Sequence, residues 1–481
     1  MVLFSHADNA MAYALAQEAD YIDVRLENSF ENFLNLRNKN LCGVSTKLQE
    51  SIGIRVLFNG FLGFAATASL DNSAIKTAIT SAIKSAKKIA KNFPEKKTKL
   101  ADITARKTSV ADESKKEPQM LDPKERTELL TLINSQIYSQ ASNLTVLDLK
   151  LIENQSQKVF QNSEGSQIEQ ILMRASLFIG SSILSAGNLP KVRTVGYGGV
   201  GGIEQFSTPE FERFLSNYIT SLPKIAQARM IKPAEQTIIM NEEMGWNLCH
   251  EFCHAVESDL ILDGRSPLGN RIGNKLGSEL VTIIDDASFK GYGEYYFDDE
   301  GVKASGTLII EDGILFDLLQ NRETAGEMGV VPTSNGRAEN CLSTPEVRQS
   351  NTFFEPGNFT LPELMEDIRD GLFVCDSFGG VSDTIHGNFQ LDAQYGRKIE
   401  KGELTDYITN FSLIGNLYNI LGNITGMTKE LGNYPAFCGK NGQRVRVGAI
   451  SPCVRLKNVA VVSNIAQRQV RKVDFAKMRE R

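Results

Sequence analysis

The sequence predicts an α+β protein in two domains: a mixed sheet-and-helix domain over residues 1–225, with a polar excursion at about 94–120, and a β-rich domain over residues 226–481 that carries one histidine-bearing helix. Three observations lead there. The chain has 481 residues, more than one hydrophobic core usually supports. Its first half mixes segments of helical apolar spacing with segments of strict alternation, whereas its second half is a run of short alternating segments separated by turn residues. Between the halves, Pro223 to Pro233 breaks the composition.

Taken in order, Asp8 to Ala19 reads as an alanine-rich helix and Tyr21 to Glu27 as a strand, with Phe33 to Arg37 as its partner. Ile52–Phe58 and Phe61–Ala66 are joined by Asn59-Gly60, a strong hairpin signal. From Ile75 to Ala90 apolar residues return every three or four positions, and Pro94 ends that helix. The lysine-rich stretch that follows mixes in acids and reads as a surface excursion or linker. Asp122-Pro123 and Thr208-Pro209 open two further helices, each with a capping side chain before a proline. Between these helices, Val146 to Glu153, Lys158 to Asn162 and Gln167 to Leu184 read as successive strands, and Gly196 to Gly202 as a flexible loop or a close backbone approach.

Beyond the break, Thr237 to Met240 is a short strand that leads through Asn241, an N-cap, into a helix running to Asp263–Pro267. Short strands and turns follow, such as Gly306–Ile310, Glu311-Asp312-Gly313 and Ile314–Leu319, and Thr360 with Glu363 supplies a capping box.

Composition removes several classes of function. With 41% hydrophobic and 23% charged residues the chain is ordinary globular material. A net charge of −6 provides no broad cationic field, which argues against nucleic acid as a partner. The start lacks a basic segment followed by a long apolar run, so no cleaved signal peptide is expected, and no stretch reaches the roughly 18 apolar residues of a membrane span. Seven cysteines, two of them flanking histidines, suit free thiols and a cytoplasmic setting.

The chemistry concentrates in Cys249-His250-Glu251-Phe252-Cys253-His254, which holds two of the four histidines in the chain. Residues four apart on a helix lie one turn above each other, so His250 and His254 can offer two imidazoles to one cation. Glu251 then stands beside that cation, where a carboxylate can take a proton from water. A catalytic zinc commonly takes three protein ligands. His6, His386 and Cys438, the last in Phe437-Cys438-Gly439-Lys440-Asn441-Gly442 read as a tight turn exposing a thiolate, are the remaining candidates.

Over most of its length the chain resembles the TldD/PmbA group, once described as modulators of DNA gyrase and regarded as metallopeptidases. The likeness is carried by His254-Ala255-Val256-Glu257-Ser258-Asp259, Gly264-Arg265-Ser266-Pro267-Leu268, Asp285-Asp286, Phe297-Asp298-Asp299-Glu300-Gly301, Thr333-Ser334-Asn335-Gly336-Arg337, Ser350-Asn351-Thr352 and Cys438-Gly439-Lys440-Asn441-Gly442-Gln443. It implies the TldD branch: zinc on His250, His254 and Cys438, Glu251 as the base, unfolded or flexible peptides as substrates, and a dimer, either of two copies or with a PmbA-like homologue.

One departure divides the alignment. The family pattern is H-E-x-x-x-H, whereas His250 and His254 are four apart. Either one residue is deleted and His250-Glu251 is kept, or Cys249 takes the place of the first histidine. Four residues turn a helix by about 400° and five by about 500°, so the first alternative keeps the ligands nearer one face. The competing functional class is a non-catalytic subunit that binds peptides or pairs with an active homologue. Asp298, Asp299, Asn335 and Arg337 recur in the family blocks but read as strand and turn caps.

Overall fold

The structure, a computed structural model, describes residues 2–463 except 96, 115–117, 142–143 and 186–189. Seven strands form the N-terminal sheet, in the order Phe61–Thr67, Asn40–Phe58, Tyr21–Arg37, Leu144–Asn162, Gln167–Leu184 and Lys107–Ala111, with Pro190–Val200 also paired to Gln167–Leu184. The Asn59-Gly60 hairpin forms as expected, both residues taking positive φ (51° and 82°).

Alternation explains the unusual length of these strands. Along Tyr21–Arg37 the even positions Ile22, Val24, Leu26, Leu34 and Leu36 are buried under helices, while Glu27, Ser29 and Glu31 face the other way into a cleft. One end of this apolar face packs on helices Val2–Leu15 and Asn72–Asn92, the other on Pro123–Gln140 and Pro209–Ala226.

This arrangement corrects three expectations. Phe33–Arg37 continues the strand begun at Tyr21 and is not its partner. Val146–Glu153 and Lys158–Asn162 are likewise one strand, because Asn154 to Gln157 change the polarity of the segment without bending its backbone. The glycine run is strand as far as Val200, and it includes the close approach: a Cβ on Gly198, at φ 146°, would lie 2.1 Å from the Ala175 carbonyl oxygen. Residues 96 and 115–117 of the excursion lie outside the described residues. The rest is docked: Ala101 N–H donates to the Arg322 carbonyl at 2.8 Å, and Lys107–Ala111 joins the sheet.

In the C-terminal part five strands close on themselves. Asp370–Ser382 pairs with Ala234–Met240, then follow Val454–Ser463, Phe411–Asn416 and Asn388–Glu400, which returns to Asp370–Ser382. A second sheet of six strands ends in Gln443–Ser451 and Gly432–Lys440. Helix Glu242–Cys253 lies between them. Met244, Leu248, Cys249, Phe252 and Cys253 join the large core, while Trp246 packs with Cys438, Val445 and Val447 of the second sheet. At Gly245 the helix comes so close to that sheet that a Cβ would sit 2.6 Å from Ser451 Oγ.

The two parts share a buried ion network. Arg55 donates to Asp23 at 2.8 Å and to Glu300, and Glu300 accepts from the Arg322 main chain; all four residues are fully or nearly fully buried. Arg55→Met is expected to destabilise the protein by about 3–5 kcal/mol, because two buried carboxylates lose their cation. Denaturant unfolding checks this, and a change within about 0.5 kcal/mol would show that the network contributes nothing to holding the parts together.

Candidate metal centre

Asn241 starts the histidine helix as expected, its side chain accepting from Met244 N–H at 3.1 Å. The expected run to Asp263 is interrupted: the α-helix ends at Cys253, and His254–Val256 tightens into a 3-10 turn before a short helix, Ser258–Leu262. His250 and His254 still face the same way, with ring centroids 4.7 Å apart. Cys438 meets them from strand Gly432–Lys440, and one donor atom from each of the three residues lies within 4.8 Å of the others.

Cys438 differs from its expected setting. The tight turn is Asn441-Gly442, at φ 49° and 80°, whereas Cys438 lies upstream in the strand and is buried. Its Sγ is 3.7 Å from His254 Nε2. Burial pushes the thiol up, but His254 and then His250 outweigh burial and hold it well below its ordinary value, which favours thiolate. For His254, burial lowers the ring's affinity for a proton, and Glu257 and Cys438 more than reverse this.

Cys249 points elsewhere. It is fully buried in the large core beside Cys253, whose thiol is pushed well up by burial and then by Cys249. Of the two alignments considered above, the structure therefore places His250, and not Cys249, opposite Cys438. Glu251 is one position further round the helix, and its Oε2 accepts from Ser382 Oγ at 2.5 Å. His386 is exposed in a hairpin turn and bonded to Asp383 at 2.6 Å, and His6 lies on the first helix; neither belongs to the cluster.

Asp298, Asp299, Asn335 and Arg337 brace the chain. Asp298 accepts from three main-chain N–H groups, Asp299 pairs with Lys158 at 3.0 Å, Asn335 bonds Asp285, and Arg337 donates to two carbonyls.

Sequence reasoning missed the groups around the donors. Glu257 Oε1 lies 3.1 Å from His254 Nδ1, which leaves Nε2 toward Cys438. Gln349 donates to the His250 carbonyl at 3.0 Å, and Arg348 to the Cys438 carbonyl at 2.6 Å. Glu257 lies within one quoted sequence block and Arg348-Gln349 just before another, so spacing from a ligand was the available signal.

The donor chemistry fits zinc. Two imidazoles and a thiolate are zinc ligands and leave one tetrahedral position open. His250 Nδ1 is buried without a hydrogen-bond partner among the described residues, a condition that calls for an explanation such as a ligand. Beside the cluster runs a cleft of about 1230 Å³ between the polar face of the N-terminal sheet and the C-terminal part, lined by Ser29, Asn154, Phe178, Trp246, Tyr434 and Phe437 among others. The Trp246 and His250 rings, 4.9 Å apart, connect cleft and cluster.

Fold and site together define a two-domain α+β protein with a His-His-Cys donor set beside a large cleft. The family description "PmbA/TldA metallopeptidase C-terminal domain" matches residues 233–463, and "PmbA/TldA metallopeptidase domain 1" matches residues 22–90. A metalloprotease of Methanocaldococcus jannaschii is 33% identical over 460 residues, covering 93% of this chain and 98% of its own. A zinc metalloprotease TldD homolog of Saccharolobus solfataricus is 25% identical over 449 residues, 92% and 96% of the two chains. The crystal structure of TldE from Thermococcus kodakarensis shares the fold at TM-score 0.77 and 19% identity, covering 95% of this chain and 100% of that one. The chain belongs to the PmbA/TldD family.

Proposed function

We propose that this protein is a zinc-dependent peptidase acting on unfolded or flexible peptides, with His250, His254 and Cys438 holding the metal. The observation that carries the reading is the meeting of the three donors within 4.8 Å from a helix turn and a strand nearly two hundred residues away. Zinc, when bound, acidifies water and polarises a scissile carbonyl. Glu251 accepts the proton of the attacking water and passes it to the leaving amine, while Ser382 holds one carboxylate oxygen in place.

Strand Gly432–Lys440 supplies the means of holding a peptide. It ends its sheet, and Tyr434 to Phe437 line the cleft. Gly448 N–H donates to Ser350 on the far side, so the Pro435–Gly448 pair is of the non-bonded kind. Pro435 and Phe437 therefore turn main-chain groups to the open edge, where an extended peptide adds as a strand with little regard for its side chains. Among the described residues no helix is long and apolar enough to cross a membrane. A dimer, of two copies or with a PmbA-like homologue, belongs to this reading; the edge at 40–51, which pairs on one side only among the described residues and exposes Leu41, Val44 and Leu48, is a surface suited to it.

The test is metal analysis with an assay on an unstructured fluorescent peptide. One zinc per chain, with hydrolysis abolished by a chelator and restored by zinc, is the expected result. Protein that takes up no zinc, or cleaves equally well without it, would overturn the proposal.

A further inference from the structure

We propose that Glu257 and Lys440 form a charged strap that sets the coordination geometry of the centre, Glu257 as the positioning residue for His254 and Lys440 as the link to the strand that carries Cys438. The inference rests on the zinc reading above.

The placement follows from local geometry. In a 3-10 turn, residues three apart eclipse one another, so the turn at His254–Val256 brings Glu257 over the His254 ring. In a strand, residues two apart share a face, so Lys440 projects on the same side as Cys438. The two meet: Lys440 Nζ lies 2.8 Å from Glu257 Oε2 and 2.6 Å from Asp259 Oδ2, and donates to the Val347 carbonyl at 3.0 Å. Glu257 is fully buried, and its two oxygens divide between His254 and Lys440. A closed circuit results, from Cys438 along the strand to Lys440, across to Glu257, down to His254 and back to the sulfur.

Two physical consequences follow. With Nδ1 of His254 tied to a carboxylate, the tautomer and plane of the ring are fixed with Nε2 toward the donor cluster. A dication among the donors, together with the Lys440 ammonium, faces the Cys438 thiolate, Glu257 and Asp259, so the charges of the strap offset one another when the centre is loaded.

The experiment measures zinc affinity of the full chain by competition with a chromophoric chelator. Glu257→Gln and Lys440→Met are each expected to weaken zinc binding by about 10–100-fold. Because the two act as one unit, the double variant, which leaves less unbalanced charge buried, should lose about as much as one single variant and not the product of both. Cobalt substitution adds a signature: the thiolate-to-cobalt band persists but shifts in the variants, since Cys438 is present and the opposing ring has turned. A purely structural role would lower the unfolding temperature and leave affinity and cobalt spectrum as in the parent. Wild-type affinity in the folded variants, or losses that multiply, overturns the strap alone. A parent chain that takes up no zinc brings down the function proposed above and the strap with it.

Discussion

Glu251→Gln is expected to lower peptide hydrolysis by about 10²–10⁴-fold while the zinc content stays at one per chain. The amide keeps the size of the carboxylate and can still accept from Ser382, so the helix and the neighbouring donors are undisturbed. What is lost is the capacity to take a proton. The next helical position puts Glu251 about 100° round from His250 and outside the donor cluster, so the proposed role has its carboxylate act on the centre from the side. Zinc analysis and steady-state kinetics on the same preparation separate the outcomes. Activity near that of the parent would remove Glu251 from the reaction, and loss of zinc together with activity would make it part of the metal site.

Cys438→Ala is expected to abolish stoichiometric zinc and with it essentially all hydrolysis, whereas Cys249→Ala keeps both. The contrast is geometric. Cys438 reaches His254 Nε2 at 3.7 Å, while Cys249 is enclosed in the apolar core. Removing its sulfur leaves a small buried cavity, worth on the order of 1 kcal/mol of stability, and no change at the centre. Metal analysis of the two purified variants, with unfolding curves to show that both are folded, decides the matter. Zinc lost with Cys249 and retained with Cys438 would reverse the assignment and favour the alignment in which Cys249 replaces the first ligand.

Much of this was legible in one dimension. The α+β class, the Asn59-Gly60 hairpin, the caps at Asp122, Thr208, Asn241 and Thr360, and the histidine pair depend on local chemistry and short spacing, whereas Cys438 was singled out by the family likeness. Strand continuity was less legible. Around Glu27–Phe33 and Asn154–Gln157 the polar residues resembled turns, because a surface lining a wet cleft and a solvent-exposed turn draw on the same side chains. The helix break at His254 was hidden for a related reason: a 3-10 turn and an α-helix present nearly the same apolar spacing over so few residues.

The sequence alone marked His250 and His254 as candidate cation ligands, since imidazoles one helical turn apart follow from residue spacing, whatever surrounds them. It did not determine which way that helix faced. Whether Cys249 or His250 looked toward Cys438 was decided by packing, because the apolar core claimed Cys249, Phe252 and Cys253 and left Trp246 and His250 toward the second sheet. Cys438, Glu257 and Lys440 came together for the same reason: contact between residues far apart in the chain is set by the burial of other side chains, which no local pattern records.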